Sequence, residues 1–287
     1  MRRAISLAQP ATLKPIVLAQ LFGLVALLFL ALPVKAANRA DVERFLQITG
    51  FDVAVESIAQ DAEDAPEMLG LEAGAFGATW SLLADEIFDV EGMMTQAVDI
   101  LEQTLDQELL DHAVGFYDSA LGQRLVKSEN LSVLDDGALK QIAGQQIIAE
   151  MVETGDPKIE YFQRMNVAID PEGVGLRAMQ QIQVRFLVAA SRAGVIEEDL
   201  DEEMLWSQLD ANRAETLRSV HAAGLAGAAY TYQGFSADEI LAYTEALEHP
   251  KMQTVYELMN AVHYQIMGDR FDEISKHLDS LQPSEEL

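Results

Sequence analysis

The sequence predicts an all-α protein of about ten helices. After residue 37, apolar residues recur three or four positions apart in nearly every stretch, which is the spacing of one face of a helix. No stretch alternates apolar and polar residues with a period of two, and no Asn-Gly or Asp-Gly turn leads into β-branched residues. The 287 residues include only 8 prolines and 18 glycines, which favours long uninterrupted helices.

Composition and charge exclude several classes of function. Hydrophobic residues make up 49% of the chain, too many for a disordered protein at this charge. The absence of cysteine excludes disulfides, thiolate metal sites and cysteine nucleophiles. The formal net charge of -28 argues against nucleic acid, because phosphate binding depends on clustered lysine and arginine.

The N-terminal segment 1–36 has the pattern of a secretory signal peptide. Basic residues precede an apolar run over 16–30, and a Val-x-Ala cleavage pattern ends at Ala36. An uncleaved anchor is the alternative, since the apolar run approaches the lower limit of about 17 residues for spanning a bilayer. Cleavage predicts a periplasmic or secreted protein with no stable membrane insertion afterwards.

Helix boundaries are predicted from breakers between the apolar stripes. Asp156-Pro157 and Asp170-Pro171 each predict an N-cap followed by proline at the first helical position. The small residues of 222–229 predict a tight helix crossing or a joint. The remaining predicted breaks lie at Gly50, Pro66, Gly70, Gly92, Gly155, Gly194, Gly234 and Pro250.

A weak internal repeat suggests that the helices form two related halves rich in helical hairpins. A shift of about 130 residues places Asp106–Leu110 over Ser236–Ile240. Both segments begin with an N-cap residue, carry acid in the first turn and then become apolar. The predicted organisation is a first half over 37–168 and a second over 169–287.

The segment with Phe116-Tyr117-x-Ser119-x-x-Gly122 resembles the signature of an exported bacterial family catalogued as a domain of unknown function, DUF2059. The upstream segment Leu46–Gly50 is similar to the Leu-x-x-Thr-Gly element that often opens such domains. The second half is only loosely similar to the signature. The resemblance implies export and a helical fold, and it implies no activity.

The signature also has a purely structural interpretation. Phe116 and Tyr117 can bury apolar area at a helix corner, Ser119 can cap the next helix, and Gly122 can permit a close helix approach. The alternative is that the corner presents Tyr117 to a partner.

The search for chemistry finds no catalytic, cofactor-binding or metal-binding motif. Asp269, Glu273 and His277 are four apart and could share a metal or a proton, although a solvated helix face explains them as well. Glu245 and His249 have the same spacing, but Pro250 makes His249 a capping residue first. The sequence therefore predicts no catalytic residue, no cofactor and no metal, and it favours a protein that is not an enzyme.

Two classes of function remain. The favoured one is a non-catalytic envelope protein that binds another protein or a peptide in an apolar groove between helices. The alternative is a binder of a small ligand or divalent metal, or a hydrolase that uses dispersed carboxylates and histidines such as Glu273 and His277.

Overall fold

The computed structural model describes residues 37–63, 65–69, 71, 76–171, 173–196 and 200–281. Within these ranges the regular secondary structure is helical and contains no strand, which confirms the all-α prediction. The predicted signal peptide lies outside the described residues. No helix among the described residues is long and apolar enough to cross a membrane.

The helices are numbered here in chain order, and α3 is a single turn of four residues. A short 3-10 turn over Leu278–Ser280 follows the last of them. Their bounds are α1 Arg39–Thr49, α2 Phe51–Glu63, α3 Ala65–Met68, α4 Gly77–Ile87, α5 Val90–Thr104, α6 Gln107–Tyr117, α7 Ala120–Val133, α8 Gly137–Thr154, α9 Lys158–Ile169, α10 Val174–Arg192, α11 Glu202–Thr231, α12 Ala237–Leu247 and α13 Pro250–Ser275.

Helix starts follow the predicted capping residues at several corners. The Ser119 hydroxyl accepts the Gly122 amide at 3.0 Å, which begins α7. Ser236 and Glu239 form a reciprocal capping box at the start of α12. His249 caps α13 and Pro250 occupies its first turn, as the sequence predicts. Because these caps satisfy free amides locally, each helix start depends little on the rest of the fold.

The predicted start of α10 at Asp170-Pro171 is wrong. Gly173, with φ at 64°, makes a further turn, and the helix begins only at Val174. The Asp170 carboxylate still satisfies the first turn, because it accepts the amides of Val174 and Gly175 at 2.8 and 3.0 Å. The capping chemistry was therefore identified correctly and the boundary was not.

A hydrophobic core extends along α13, which packs against α5 and α6 from the first predicted half and against α10 from the second. Its inward residues, among them Met252 and Ile266, are fully buried. Burial on this scale is the main source of stability for a chain without cysteine. The division into halves near residue 168 and the repeat remain predictions.

The small residues of α11 form the tight crossing that the sequence predicts. Gly144 of α8 lies so close to α11 that an added Cβ would overlap the carbonyl of Ala226. A substitution at Gly144 would therefore force the two helices apart. This contact holds α8 beside the C-terminal part of α11, which also carries Tyr230 and Thr231.

Candidate functional site

Four tyrosine hydroxyls and one partly buried carboxyl group form a connected hydrogen-bonded network. Tyr117 ends α6, Tyr232 follows α11, Tyr243 lies in α12 and Tyr256 lies in α13. We call these four residues and Glu129 of α7 the tyrosine cluster. The cluster therefore joins side chains from five separate regions of the chain.

Glu129 accepts two hydrogen bonds within the tyrosine cluster. Its Oε1 accepts the hydroxyl of Tyr232 at 2.7 Å and that of Tyr243 at 2.9 Å. Among the described residues, no donor bonds to Oε2 and no lysine or arginine forms an ion pair with this carboxylate. Glu129 is thus a hydrogen-bonded acid without a positive partner in the described part of the chain.

The other tyrosines extend this hydrogen-bonded network. The Tyr117 hydroxyl lies 2.5 Å from that of Tyr256 and 3.2 Å from that of Tyr243. The hydroxyls of Tyr243 and Tyr256 are 3.4 Å apart. Buried hydroxyls need such partners, and a connected network fixes the positions of its members.

The corner between α6 and α7 positions Tyr117 in the cluster. A Cβ at Gly122 would lie 2.5 Å from the Phe116 carbonyl oxygen and 2.6 Å from the Tyr117 Cα, so the corner requires glycine. The Phe116 ring stacks on Tyr243, with centroids 5.7 Å apart and planes 7° apart. Tyr117 itself is 2% exposed, so the corner turns it inward and does not present it on the surface.

Two cavities reach Glu129, and both are also lined by Val133 and Tyr256. The first has a volume of about 340 Å³ and lies against α1, α2 and α13. The second has a volume of about 400 Å³ and lies against α8, α9 and α11. Thr49 and Gly50, from the Leu-x-x-Thr-Gly element, line the first cavity together with Tyr117. The two sequence elements that carry the family resemblance therefore meet at one cavity.

A longer groove runs between α10 and α13 and has a volume of about 660 Å³. We call it the α10–α13 groove. It shares Asn260 and Tyr264 with the first cavity, so the two spaces adjoin. Its apolar and small lining residues include Val174, Ala178 and Ile182.

Charges in the α10–α13 groove are mostly negative. Asp170, Glu257 and Asp269 line it, and Arg185 is the basic residue among its lining residues. The Arg185 guanidinium donates to the Asp272 carboxylate at 2.6 Å, which offsets its charge. The groove therefore has an apolar lining with an acidic excess.

Burial sets the electrostatics of the tyrosine cluster. It raises the pKa of Glu129, although the hydrogen bonds from Tyr232 and Tyr243 act in the opposite direction. Burial and the nearby Glu129 charge raise the pKa of Tyr256 to about 12 and those of Tyr232 and Tyr243 well above their usual value. The tyrosines therefore remain neutral donors, and Glu129 is the acidic member of the cluster.

This arrangement is suited to binding. One carboxylate, several neutral hydroxyls and aromatic rings can hold a cationic or hydrogen-bonding group. Among the described residues, no serine, threonine or histidine hydrogen-bonds to the Glu129 carboxylate as an activated nucleophile would. Within the described ranges, no group of three histidine, aspartate or glutamate side chains is arranged to hold a metal.

Asp269 and Glu273 of α13 have different partners, and His277 lies near enough to Glu273 to help lower the pKa of that carboxyl group. Asp269 accepts the Gln96 side-chain amide at 2.6 Å, and Glu273 pairs with Lys276. α13 ends at Ser275, so His277 lies beyond the helix whose face it was expected to share.

Sequence reasoning missed a contact between His112 of α6 and His249. Their ring centroids are 4.2 Å apart, although the sequence gave no reason to pair them. Burial lowers the pKa of His112, and the neighbouring His249 and Lys251 act in the same direction. Glu129, Tyr243 and Tyr256 were also missed, because no motif links them.

Residues 91–150 match the model of a family described as "Uncharacterized protein conserved in bacteria (DUF2059)", which confirms the resemblance for that segment. The match includes Phe116, Tyr117, Ser119, Gly122 and Glu129. The other three tyrosines of the cluster lie outside it. Comparisons with curated proteins and with solved structures gave no match.

Proposed function

We propose that this chain is an exported, non-catalytic protein of the bacterial envelope that binds a basic peptide segment in the α10–α13 groove. The observation that carries the proposal is the groove itself, with its apolar lining and its unbalanced carboxylates. The pattern of a signal peptide in 1–36 supports export to the periplasm.

The shape and chemistry of the groove favour a peptide as the ligand. Val174 and Ile182 supply apolar surface, while the Gln265 amide and the Asn260 side-chain oxygen can pair with a peptide backbone; the Asn260 nitrogen donates to the Ile169 carbonyl. The adjoining first cavity can accept a side chain that projects from such a segment, because the two spaces share Asn260 and Tyr264.

Charge favours a basic segment over an acidic one. Asp170, Glu257 and Asp269 line the groove, and the chain as a whole has a formal net charge of -28. Opposite charge on the partner accelerates encounter and disfavours acidic competitors, and both effects weaken as salt is added. No comparable observation favours a hydrolase, because Glu273 pairs with Lys276 and His277 lies beyond α13.

A blocked groove tests this proposal. Ala178 is half-buried in the groove, so Ala178→Trp would fill it, whereas Ala149→Trp places the same ring on an exposed position of α8 as a matched control. Peptides selected by display on the wild-type protein are then titrated against all three proteins by fluorescence anisotropy.

The proposal predicts that the selected peptides are rich in lysine or arginine and bind the wild type and Ala149→Trp equally. Ala178→Trp should weaken them by about tenfold or more, since the ring removes the apolar contact surface. Equal binding to all three proteins, or selection of acidic peptides, would refute the proposal.

A further inference from the structure

We infer that Glu129 is the docking point for an ammonium or guanidinium group, which enters through one of the two cavities that reach it. The group can come from a free organic amine or from a lysine or arginine side chain of a bound peptide. This inference deepens the proposed function and rests on it for the peptide source, while the free amine is independent of it.

Glu129 has no positively charged partner among the described residues. Both described hydrogen bonds to Glu129 come from neutral tyrosine hydroxyls and end on Oε1. An ionised carboxylate inside a protein is costly unless a cation accompanies it. By contrast, the more exposed Glu248 has a cationic partner, since it receives a bidentate pair of hydrogen bonds from Arg164 at 2.6 and 2.8 Å.

The protein's own cations near the cavities do not fill this role. Lys140 lines the second cavity, but its Nζ donates to the Ser132 carbonyl at 2.9 Å and forms no described ion pair with Glu129. His263 lines the first cavity, and burial lowers its pKa, so it is neutral at physiological pH. A ligand is therefore the available source of positive charge.

The aromatic surroundings provide a second argument. Tyr256 lines both cavities, Tyr117 lines the first, and Tyr232 and Tyr243 line the second. Tyrosine faces attract cations, and the attraction grows when the cation leaves water. A carboxylate surrounded by neutral tyrosines thus offers both charge pairing and favourable ring contacts to an organic cation.

The size of the cavities provides a third argument. Volumes of about 340 and 400 Å³ are enough for a butyl-length chain with a terminal ammonium group. Apolar residues such as Val255 and Met259 line the first cavity and can pack against the methylene groups. A lysine side chain has this same shape, with an apolar stem and a charged end.

Proton linkage gives the site a distinct signature. Burial raises the pKa of Glu129, and a bound cation favours its ionised form. Cation binding must therefore lower the pKa of Glu129 and release protons at pH values near that pKa. Affinity for the cation should fall as the pH falls through the raised pKa.

The test is isothermal titration of the purified protein with n-butylamine and methylguanidine, with n-butanol as the uncharged control. Glu129→Gln keeps an oxygen acceptor for Tyr232 and Tyr243 and removes the charge. Glu239→Gln removes another glutamate charge that lines neither cavity and serves as the matched control. Circular dichroism and thermal melts establish that each variant is folded.

We expect the two cations to bind the wild type and Glu239→Gln, and n-butanol to bind neither. Glu129→Gln should weaken the cations by about tenfold or more, because a charge-assisted hydrogen bond is lost. If the wild type binds no cation, or if Glu129→Gln binds as tightly as the wild type, the inference is wrong. If Glu129→Gln does not fold, titration of the wild type over a range of pH decides the question, since an affinity for n-butylamine that does not fall on acidification contradicts the inference.

A second arm separates the two sources of the cation. Peptides selected on the wild type are compared with the same peptides carrying norleucine in place of lysine. Peptides that bind Glu129→Gln as well as the wild type would leave the proposed function standing and exclude a peptide side chain as the source of the cation at Glu129. If the amines bind at Glu129 and basic peptides do not bind the protein, this inference stands and the proposed function is wrong.

Discussion

Glu129 and Glu239 are carboxylates in contrasting surroundings, although both connect α7 with α12. Glu239 of α12 accepts Arg124 of α7 at 2.5 Å and the Ser236 amide at 2.9 Å. These bonds, the Ser236 amide first, lower its pKa to about 2. Glu129 of α7 accepts Tyr243 of α12, has no described cationic partner, and has a pKa raised by burial.

The difference separates a structural acid from a candidate binding group. The charge of Glu239 is satisfied by the capping box and by arginine, so ionisation stabilises the folded state. The charge of Glu129 is only partly satisfied, so ionisation costs stability until a ligand offsets it. A perturbed carboxyl group of the second kind beside a cavity is the type of residue that marks a functional site.

Among the variants, Glu129→Ala should lower the free energy of unfolding the most. The change leaves the hydroxyls of Tyr232 and Tyr243 without their acceptor and opens a void, which should lower the free energy of unfolding by about 2–3 kcal/mol. Urea denaturation measures the loss, and Glu129→Gln is the control that keeps the acceptor. A loss as large in Glu129→Gln would mean that the charge itself stabilises the cluster.

Tyr243→Phe should have the next largest effect. It removes one donor to Glu129 and a neighbour of the Tyr117 hydroxyl, at an expected cost of about 1–2 kcal/mol. Tyr230→Phe is the matched control, because the Tyr230 hydroxyl donates to Asp135 at an exposed site. Thermal melts that show equal losses for both variants would argue against a tightly coupled cluster.

Glu239→Ala tests the structural role of Glu239. It removes the reciprocal bond of the capping box and the partner of Arg124, at an expected cost of about 1 kcal/mol in urea denaturation at neutral pH. Binding of n-butylamine should be unchanged. A loss of amine affinity in this variant would show that α12 as a whole, and not the Glu129 charge, controls the site.

The smallest effect is a change in the pH dependence of stability. Glu239 contributes stability that is present above pH 4.5 and is lost as the pH falls towards 2, so Glu239→Gln should flatten the acid-induced loss. Glu129 has a raised pKa, so its ionisation costs stability above that pKa and protonation removes the cost on acidification. Glu129→Gln should therefore steepen the acid-induced loss. Urea denaturation between about pH 3 and 7 gives the slope of the free energy of unfolding against pH for each variant. If both variants change this slope in the same direction, the contrast between Glu129 and Glu239 is contradicted.

Local features of the fold were predictable from the sequence, and the assembled site was not. The apolar spacing identified the helices, and Ser119, Ser236 and His249 were recognisable as caps because capping involves residues only two or three apart. The start of α10 was misplaced because Gly173 adds a turn after Pro171.

The tyrosine cluster depends on contacts between distant residues. Glu129 and Tyr243 are 114 residues apart, and nothing in the local pattern around either residue indicates the other. Tyr117 was identified in advance from the family resemblance, and its expected role at a helix corner did not reveal the carboxyl group near it. The proximity of His112 and His249 was hidden for the same reason.

The most direct test of the account follows the carboxyl group of Glu129 itself. Carboxyl ¹³C NMR of labelled protein, with the resonance assigned by its absence in Glu129→Gln, gives the pKa with and without saturating n-butylamine. We expect a pKa above the usual glutamate value in the free protein and a clear decrease when the amine is bound. A pKa that does not change with the amine would contradict the claim that Glu129 receives a cation.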